Sequence, residues 1–280
     1  MRSGRRRSAF WLLAAFFAMF VLFLYGPTIT IVILSFQGPS GGLTFPMNGL
    51  SLHWFRNLFE TQMVGDFAGS FKRSIILGLI TMVVTVVVSF SAGLAFRMRF
   101  RGSTVVFYLV IASLIVPSIL ISLGIGLLFR VIEVDTAWYT SAFGAHLTWT
   151  LPFGLLIMFA VFNRFDRRFE EAARDLGASS WQTIRHVVVP IVLPSLIGVG
   201  LFGFTLSYDE FARSLYTAGT FNTLPLEIYG MTTNVTTPVL YALGTVTTGV
   251  SFLVIMLALV SSLLVRRRRA RLGSDAGKAA

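Results

Sequence analysis

Cysteine is absent from this 280-residue chain, which excludes disulfides, thiolate metal sites and cysteine nucleophiles. Charge is scarce: Asp, Glu, Lys and Arg make up 12% of the residues, about half the share usual in soluble domains. Lysine stands only at Lys72 and Lys278, and no G-x-x-x-x-G-K-[ST] phosphate loop occurs. The chain is therefore not expected to bind or hydrolyse ATP by itself. His53, His146 and His186 are scattered and form no metal-ligand cluster, and no set of His, Asp, Glu or Ser residues reads as a convergent catalytic centre.

What is abundant is apolar: 55% of the residues are hydrophobic, with 27 phenylalanines. The formal charge of +11 raises nucleic acid as a partner, but the basic residues sit in short clusters between long uncharged stretches. No basic face interleaved with aromatics is present. Basic loops beside anionic lipid account for the charge, and no nucleic acid is expected.

A helix crossing a bilayer needs about 20 mostly apolar residues, because lipid gives the backbone no hydrogen-bond partner. Six stretches qualify: Ala9 to Phe36, Ser74 to Phe96, Gly102 to Phe129, Ala142 to Phe162, Pro190 to Ser207, and Pro238 to Val265. The first follows a basic segment as a signal peptide would. It is too long for a signal's apolar core and no small-x-small cleavage pattern follows, so a retained helix is expected. The expected organisation is a basic tail at 1–8, a six-span domain at 9–265 containing a polar segment at 163–189, and a second basic tail at 266–280.

Placing both tails on one side puts all but five of the 23 Lys and Arg residues on that side, the exceptions being Arg56, Lys72, Arg73, Arg130 and Arg213. Asp166, Glu170, Glu171, Asp175 and Asp275 share the basic side, and the other acids lie opposite. The positive-inside rule then places both ends in the cytoplasm. In the outer loop at 37–69, Leu52, Phe55 and Phe59 share a helical face beside Trp54 and Leu58, which predicts a short interfacial amphipathic helix.

The inner segment is richer. Asp166 is suited to cap a short helix and Gly177 to follow its last turn, while Glu170 and Arg174 are four apart in the favourable order. Ala173 and Gly177 lie near one line, with Ala172 and Leu176 on the next, small enough for another surface to approach the backbone. Trp181, Ile184 and Val188 then share a face, Pro190 suits a helix start, and Pro194 should bend the fifth span. Two readings stand: a rigid helix that transmits force from a soluble partner, or a plain connecting loop.

Glu171-Ala172-Ala173, Gly177, Val187 and Val189-Pro190 resemble the EAA-x3-G-x9-I-x-LP signature of permease subunits of ABC importers, with Val in place of Ile and of Leu. Ser51-Leu52-His53-Trp54-Phe55, Ser207-Tyr208-Asp209-Glu210-Phe211 and Thr223-Leu224-Pro225-Leu226 with Ile228-Tyr229 and Met231 are most similar to the PotC-type spermidine/putrescine branch. Tyr208 and Glu210 depart from its common pattern. The resemblance implies an all-α transmembrane, six-helix type I (MetI-like) permease in a bacterial inner membrane. It implies as partners a second homologous permease subunit, two ATP-binding cassette ATPases that use ATP and Mg, and an extracytoplasmic solute-binding protein. Coupling to the ATPase would involve Glu170, Glu171, Ala172, Ala173, Arg174, Gly177, Trp181 and Pro190.

Tyr208, Asp209 and Glu210 form a candidate substrate path near the end of span five. Charged groups beside a span commonly line a polar route, and adjacent residues on a helix do not face the same way. The alternative is interfacial solvation, with Arg213 four residues after Asp209 as its partner. For the whole chain the alternatives are an ABC permease for another small solute (an aminophosphonate, opine, amino acid, thiamine or ferric ion) and a secondary carrier. The latter lacks support, since no pair of interrupted spans in an inverted repeat is evident.

Overall fold

The computed structural model describes residues 2–58, 65–98, 100–234 and 237–276. Helices dominate, as the absence of backbone partners in lipid requires. The elements are α1 (Arg2–Leu34), α2 (His53–Asn57), α3 (Phe67–Phe96), α4 (Ser103–Ala112), α5 (Ser118–Val131), α6 (Phe143–Asn163), α7 (Arg168–Asp175), α8 (Ser180–Thr183), α9 (Val189–Tyr208), α10 (Leu224–Asn234) and α11 (Val239–Ala276). Among the described residues five helical stretches are long and apolar enough to cross a membrane: Phe10–Leu34, Phe67–Phe96, Trp138–Asn163, Ser180–Tyr208 and Val239–Ser261.

The third expected span is not one helix. Pro117 has no N–H to give to Ser113, and its ring would strike that residue's carbonyl, so the chain turns between Ala112 and Ser118. The two pieces, about 15 and 21 Å long by helical rise, are each too short to cross alone.

Two wide π turns move the boundaries of the next spans. One, at Trp138–Ala142, starts the fourth span four residues before the expected Ala142. The other, at Ile184–Val188, joins α8 to α9, so the fifth span begins at Ser180 rather than at Pro190. Ser179 starts it: its hydroxyl accepts from the Gln182 N–H at 3.3 Å, while Gln182 Oε1 accepts from the Ser179 N–H at 2.8 Å. The wide turn sits where the Pro190 ring would otherwise meet the carbonyl four residues earlier. It also breaks the face expected for Trp181, Ile184 and Val188, since Val188 is buried and Trp181 is exposed. At the far end α11 runs as helix past Val265 to Ala276.

The chain divides into two compact units, Met1–Phe67 with Ile228–Val250, and Ala68–Glu227 with Ser251–Ala280. In the first, Gln37 organises the loop after α1. Its Nε2 donates to the Gly42 carbonyl at 2.7 Å, and its Oε1 accepts from the Asn48 N–H at 3.0 Å. Tyr241 donates its hydroxyl to the Leu43 carbonyl at 2.7 Å. The predicted amphipathic helix is only five residues, and Leu52 lies exposed ahead of it rather than on its face. Phe55 packs on Phe36 with ring centres 5.2 Å apart, and Phe59 lies outside the described residues.

The second unit is built on α3, α6 and α9. Met158, Phe162, Val188, Val192, Leu196 and Val199 form its apolar core. Glycines let the helices approach closely, the usual device where lipid provides no hydrophobic drive for association. A β-carbon on Gly154 of α6 would fall 2.2 Å from Ser89 Oγ of α3, and one on Gly200 of α9 would fall 3.2 Å from Val86. Gly154→Leu should therefore lower the stability of the detergent-solubilised chain by about 1–3 kcal/mol. Adding Ser89→Ala should return part of it, and an unchanged thermal midpoint in Gly154→Leu would refute this seam.

Candidate functional site

Two clusters of polar residues in the second unit hold the residues singled out above. The first surrounds α7. Asp166 Oδ1 accepts from the Arg168 N–H at 3.0 Å, but the cap position falls on Arg167, one residue later than expected, and carries no side-chain cap bond. At the other end the Gly177 N–H donates to the Arg174 carbonyl at 2.8 Å, and the Ala178 N–H to the Ala173 carbonyl at 3.0 Å. These two bonds are the Schellman closure, and Gly177 reaches the φ of +84° that it demands.

Glu170 turns away from the expected Arg174. Its Oε1 accepts from Arg97 Nη1 at 2.6 Å, both side chains being mostly buried. The Arg97 guanidinium also lies 5.1 Å from the ring centres of Phe162 and of Phe165. This pair ties α7 to the end of α3, a connection that no helical spacing encodes. Glu171, Ala172, Arg174 and Gly177 are exposed beside α7 and Ala173 is half-buried. Trp181, expected here, is exposed, and so are Leu176, by 90%, and Phe169, which sequence reasoning passed over. The signal for Phe169 was a large apolar side chain in an otherwise charged segment. Pro190 is also exposed, two turns along the fifth span.

The second cluster centres on Arg213, which one of the two sequence readings made an interfacial partner of Asp209. It is fully buried. Its Nη1 lies 3.5 Å from Glu210 Oε2 and donates to Ser118 Oγ at 2.7 Å, and its Nε donates to Thr148 Oγ1 at 3.3 Å. The guanidinium stands 4.5 Å from the Trp149 ring centre. The Arg213 carbonyl accepts from Ser122 Oγ at 2.9 Å and from Thr217 Oγ1, while its N–H donates to Glu210 Oε1 at 2.9 Å. Hydroxyls four apart at Ser118 and Ser122, in an otherwise apolar span, were the available sign that something polar packs there.

The candidate path residues are thereby separated. α9 ends at Tyr208, so Asp209 and Arg213 are not four apart on one helix, and Arg213 pairs with Glu210 instead. Tyr208 is buried with its ring stacked 5.7 Å from Phe204, and its hydroxyl has no hydrogen-bond partner among the described residues. Asp209 alone of the three is open to the surface, although the helix end desolvates its carboxyl enough to raise it above the ordinary range.

Deeper in the unit, His146 Nδ1 lies 2.8 Å from Ser207 Oγ, and His146 Nε2 lies 2.9 Å from Ser214 Oγ. Ser207 donates to Thr81 Oγ1 at 3.3 Å, and Thr85 and Thr150 share a bond of 2.8 Å. His146 is thus a structural tie between helices. His53 bonds locally, through Nε2 to Asn57 at 3.1 Å and through its backbone N–H to Ser51 Oγ at 3.0 Å. Among the described residues no three His, Asp or Glu side chains gather as a metal site would require.

Residues 85–272 match the family described as "Binding-protein-dependent transport system inner membrane component". The spermidine/putrescine transport system permease protein PotC of Haemophilus influenzae is 31% identical over 263 residues, covering 93% of this chain and 98% of its own. PotC of Escherichia coli K12 is 27% identical over 87% of this chain and 90% of its own. The putrescine transport system permease protein PotI of the same strain is 28% identical, covering 81% and 82%. Among solved structures, a bacterial ABC transporter involved in the import of the acidic polysaccharide alginate superposes with a TM-score of 0.63 at 17% identity, covering 97% of this chain and 98% of its own. The MetNI methionine ABC transporter gives 0.57 at 15% identity, covering 71% and 95%. At those identities the two structures speak for the fold alone, and that fold is the expected type I importer permease. With the family match spanning more than half of the chain and a relative above 30% identical along nearly all of it, the chain belongs to the inner membrane components of binding-protein-dependent transport systems, the permease subunits of ABC importers.

Proposed function

We propose that this permease subunit imports spermidine/putrescine-type polyamines. The observation that carries the reading is the nearly end-to-end likeness to a spermidine/putrescine permease at 31% identity. In this reading both termini are cytoplasmic, as the distribution of arginines favours. The chain is non-catalytic: a second permease subunit completes the pathway, an extracytoplasmic binding protein delivers the solute, and two separate ATPases use ATP and Mg.

Coupling runs through the helix at 166–177. Force transmission needs a stiff lever with a firm attachment, and α7 has both: a closed C-terminal cap and the Arg97–Glu170 pair to α3. Exposed Phe169 on α7, Leu176 just after it and Trp181 on α8, among Glu171 and Arg174, supply an apolar contact with a charged rim for the ATPase groove. On the far side Asp209 is the acid left to meet a cation, because Arg213 neutralises Glu210.

Three outcomes test this. Ala173→Trp and Gly177→Val should leave the chain inserted but reduce ATPase co-purification several-fold. Normal ATPase content together with solute-stimulated hydrolysis would remove α7 from the coupling path. Asp209→Asn should raise KM for polyamine uptake by the complete importer with little change in thermal stability. Glu210→Gln should act differently, costing about 3–5 kcal/mol of stability because it strips a buried guanidinium of its counter-ion; equal effects of the two changes on uptake alone would overturn the assignment. For the substrate, polyamines, aminophosphonates, opines and amino acids should be compared for thermal stabilisation of the cognate binding protein. Preference for any class other than polyamines would end the polyamine reading.

A further inference from the structure

A cleft of about 400 Å³ opens where α3 and α6 end and α4 begins. Its lining has two chemical halves. One is an aromatic triad: Phe107 lies 5.3 Å from Phe159 and 6.2 Å from Phe96, ring centre to ring centre, and Phe96 and Phe159 are 6.5 Å apart. The other half is polar, with Arg97, Arg167 and Ser103 on its wall. The two halves meet at a definite depth. The apolar stretches Phe67–Phe96 and Trp138–Asn163 both finish at this cleft, so its aromatic side faces the hydrocarbon edge and its arginines the headgroup layer.

The arginines differ in what they have left to bind. Arg97 is committed to Glu170 and lies over Phe162 and Phe165, which fixes its position. Arg167 is exposed and donates Nη2 to the Arg97 carbonyl at 3.1 Å. No carboxylate among the described residues lies within ion-pair distance of Arg167. An exposed guanidinium without a carboxylate, held over an apolar slot at the bilayer edge, complements an amphiphile whose head is anionic.

We infer that this cleft is a binding site for one anionic phospholipid, its phosphate held by Arg167 beside Arg97 and one acyl chain lying against Phe96, Phe107 and Phe159. The volume suits a phosphate and the upper part of a chain rather than a whole lipid, so the rest of the molecule stays in the bilayer. Because Arg97 also holds Glu170, the bound lipid would sit directly beside the attachment of α7. The inference needs only the membrane setting of the chain and is independent of its solute.

The full-length chain, in its assembled complex where it purifies as one, is exposed in mild detergent to equal amounts of phosphatidylglycerol and phosphatidylcholine. Retained lipid is counted by native mass spectrometry. One phosphatidylglycerol per chain should be retained in preference to phosphatidylcholine. Arg167→Gln should weaken that retention about five-fold, the share of one arginine near a membrane surface. Phe107→Ala should weaken retention of a long-chain phosphatidylglycerol more than that of a short-chain one. Arg164→Gln, an exposed arginine outside the cleft, should change nothing, and thermal unfolding of each variant identifies any that fails to fold. Equal retention of the two lipids would overturn the site. So would the same loss in Arg164→Gln as in Arg167→Gln, which means diffuse surface charge. Displacement by millimolar inorganic phosphate would replace a lipid with a free anion, and would overturn it too.

Discussion

Lipid gives no partner to a hydrogen-bonding group, and the second unit of this chain obeys that constraint by gathering its polar side chains where helices meet. His146 of α6 touches Ser207 of α9 and Ser214 beyond it, and Ser207 continues to Thr81 of α3. Thr85 and Thr150 repeat the tie between α3 and α6. Without a hydrophobic drive between helices in a bilayer, such bonds and close glycine contacts decide which faces associate. Gly154 and Gly200 bring the backbones near enough for the hydroxyls to reach one another.

The same constraint explains Arg213. A fixed positive charge at the end of a span is costly unless it is enclosed by acceptors and a counter-ion. Ser118, Thr148, Glu210 and the Trp149 ring supply most of that enclosure, with Nη2 left without a hydrogen bond among the described residues. Its consequence is asymmetric: Glu210 is consumed in holding the loop, while its neighbour Asp209 stays open. Two adjacent acids that look equivalent in sequence therefore have different physical circumstances.

At the opposite end of α3, a short helix acquires stiffness from three inexpensive devices. Asp166 holds the Arg168 N–H just ahead of its first turn, Gly177 closes it, and the pair between Glu170 and Arg97 fixes it to a membrane helix. The continuous run from Ser180 to Tyr208 carries the chain onward without a break, because a wide turn absorbs the proline that would otherwise interrupt it. The polar segment joins the fifth span through the few residues from Leu176 to Ser179.

Hydropathy alone located five of the six apolar stretches, because burying a backbone in lipid demands long uncharged helices whatever their packing, although the second begins at Phe67 rather than Ser74 and the fifth at Ser180 rather than Pro190. The closure of α7 was equally legible, since Gly177 acts on neighbours within a few residues. The sequence did not reveal the break at Pro117 as an interruption of its span, nor the π turns, because both depend on how neighbouring helices accommodate a displaced backbone. Nor could spacing distinguish Arg174 from Arg97 as the partner of Glu170, or Asp209 from Glu210 as the partner of Arg213. Glu210 is only three positions from Arg213, but Arg97 and Glu170 are 73 positions apart and Ser118 and Arg213 are 95 apart. Only tertiary packing brings such groups within bonding distance, and once buried they take the partner that is nearest in space.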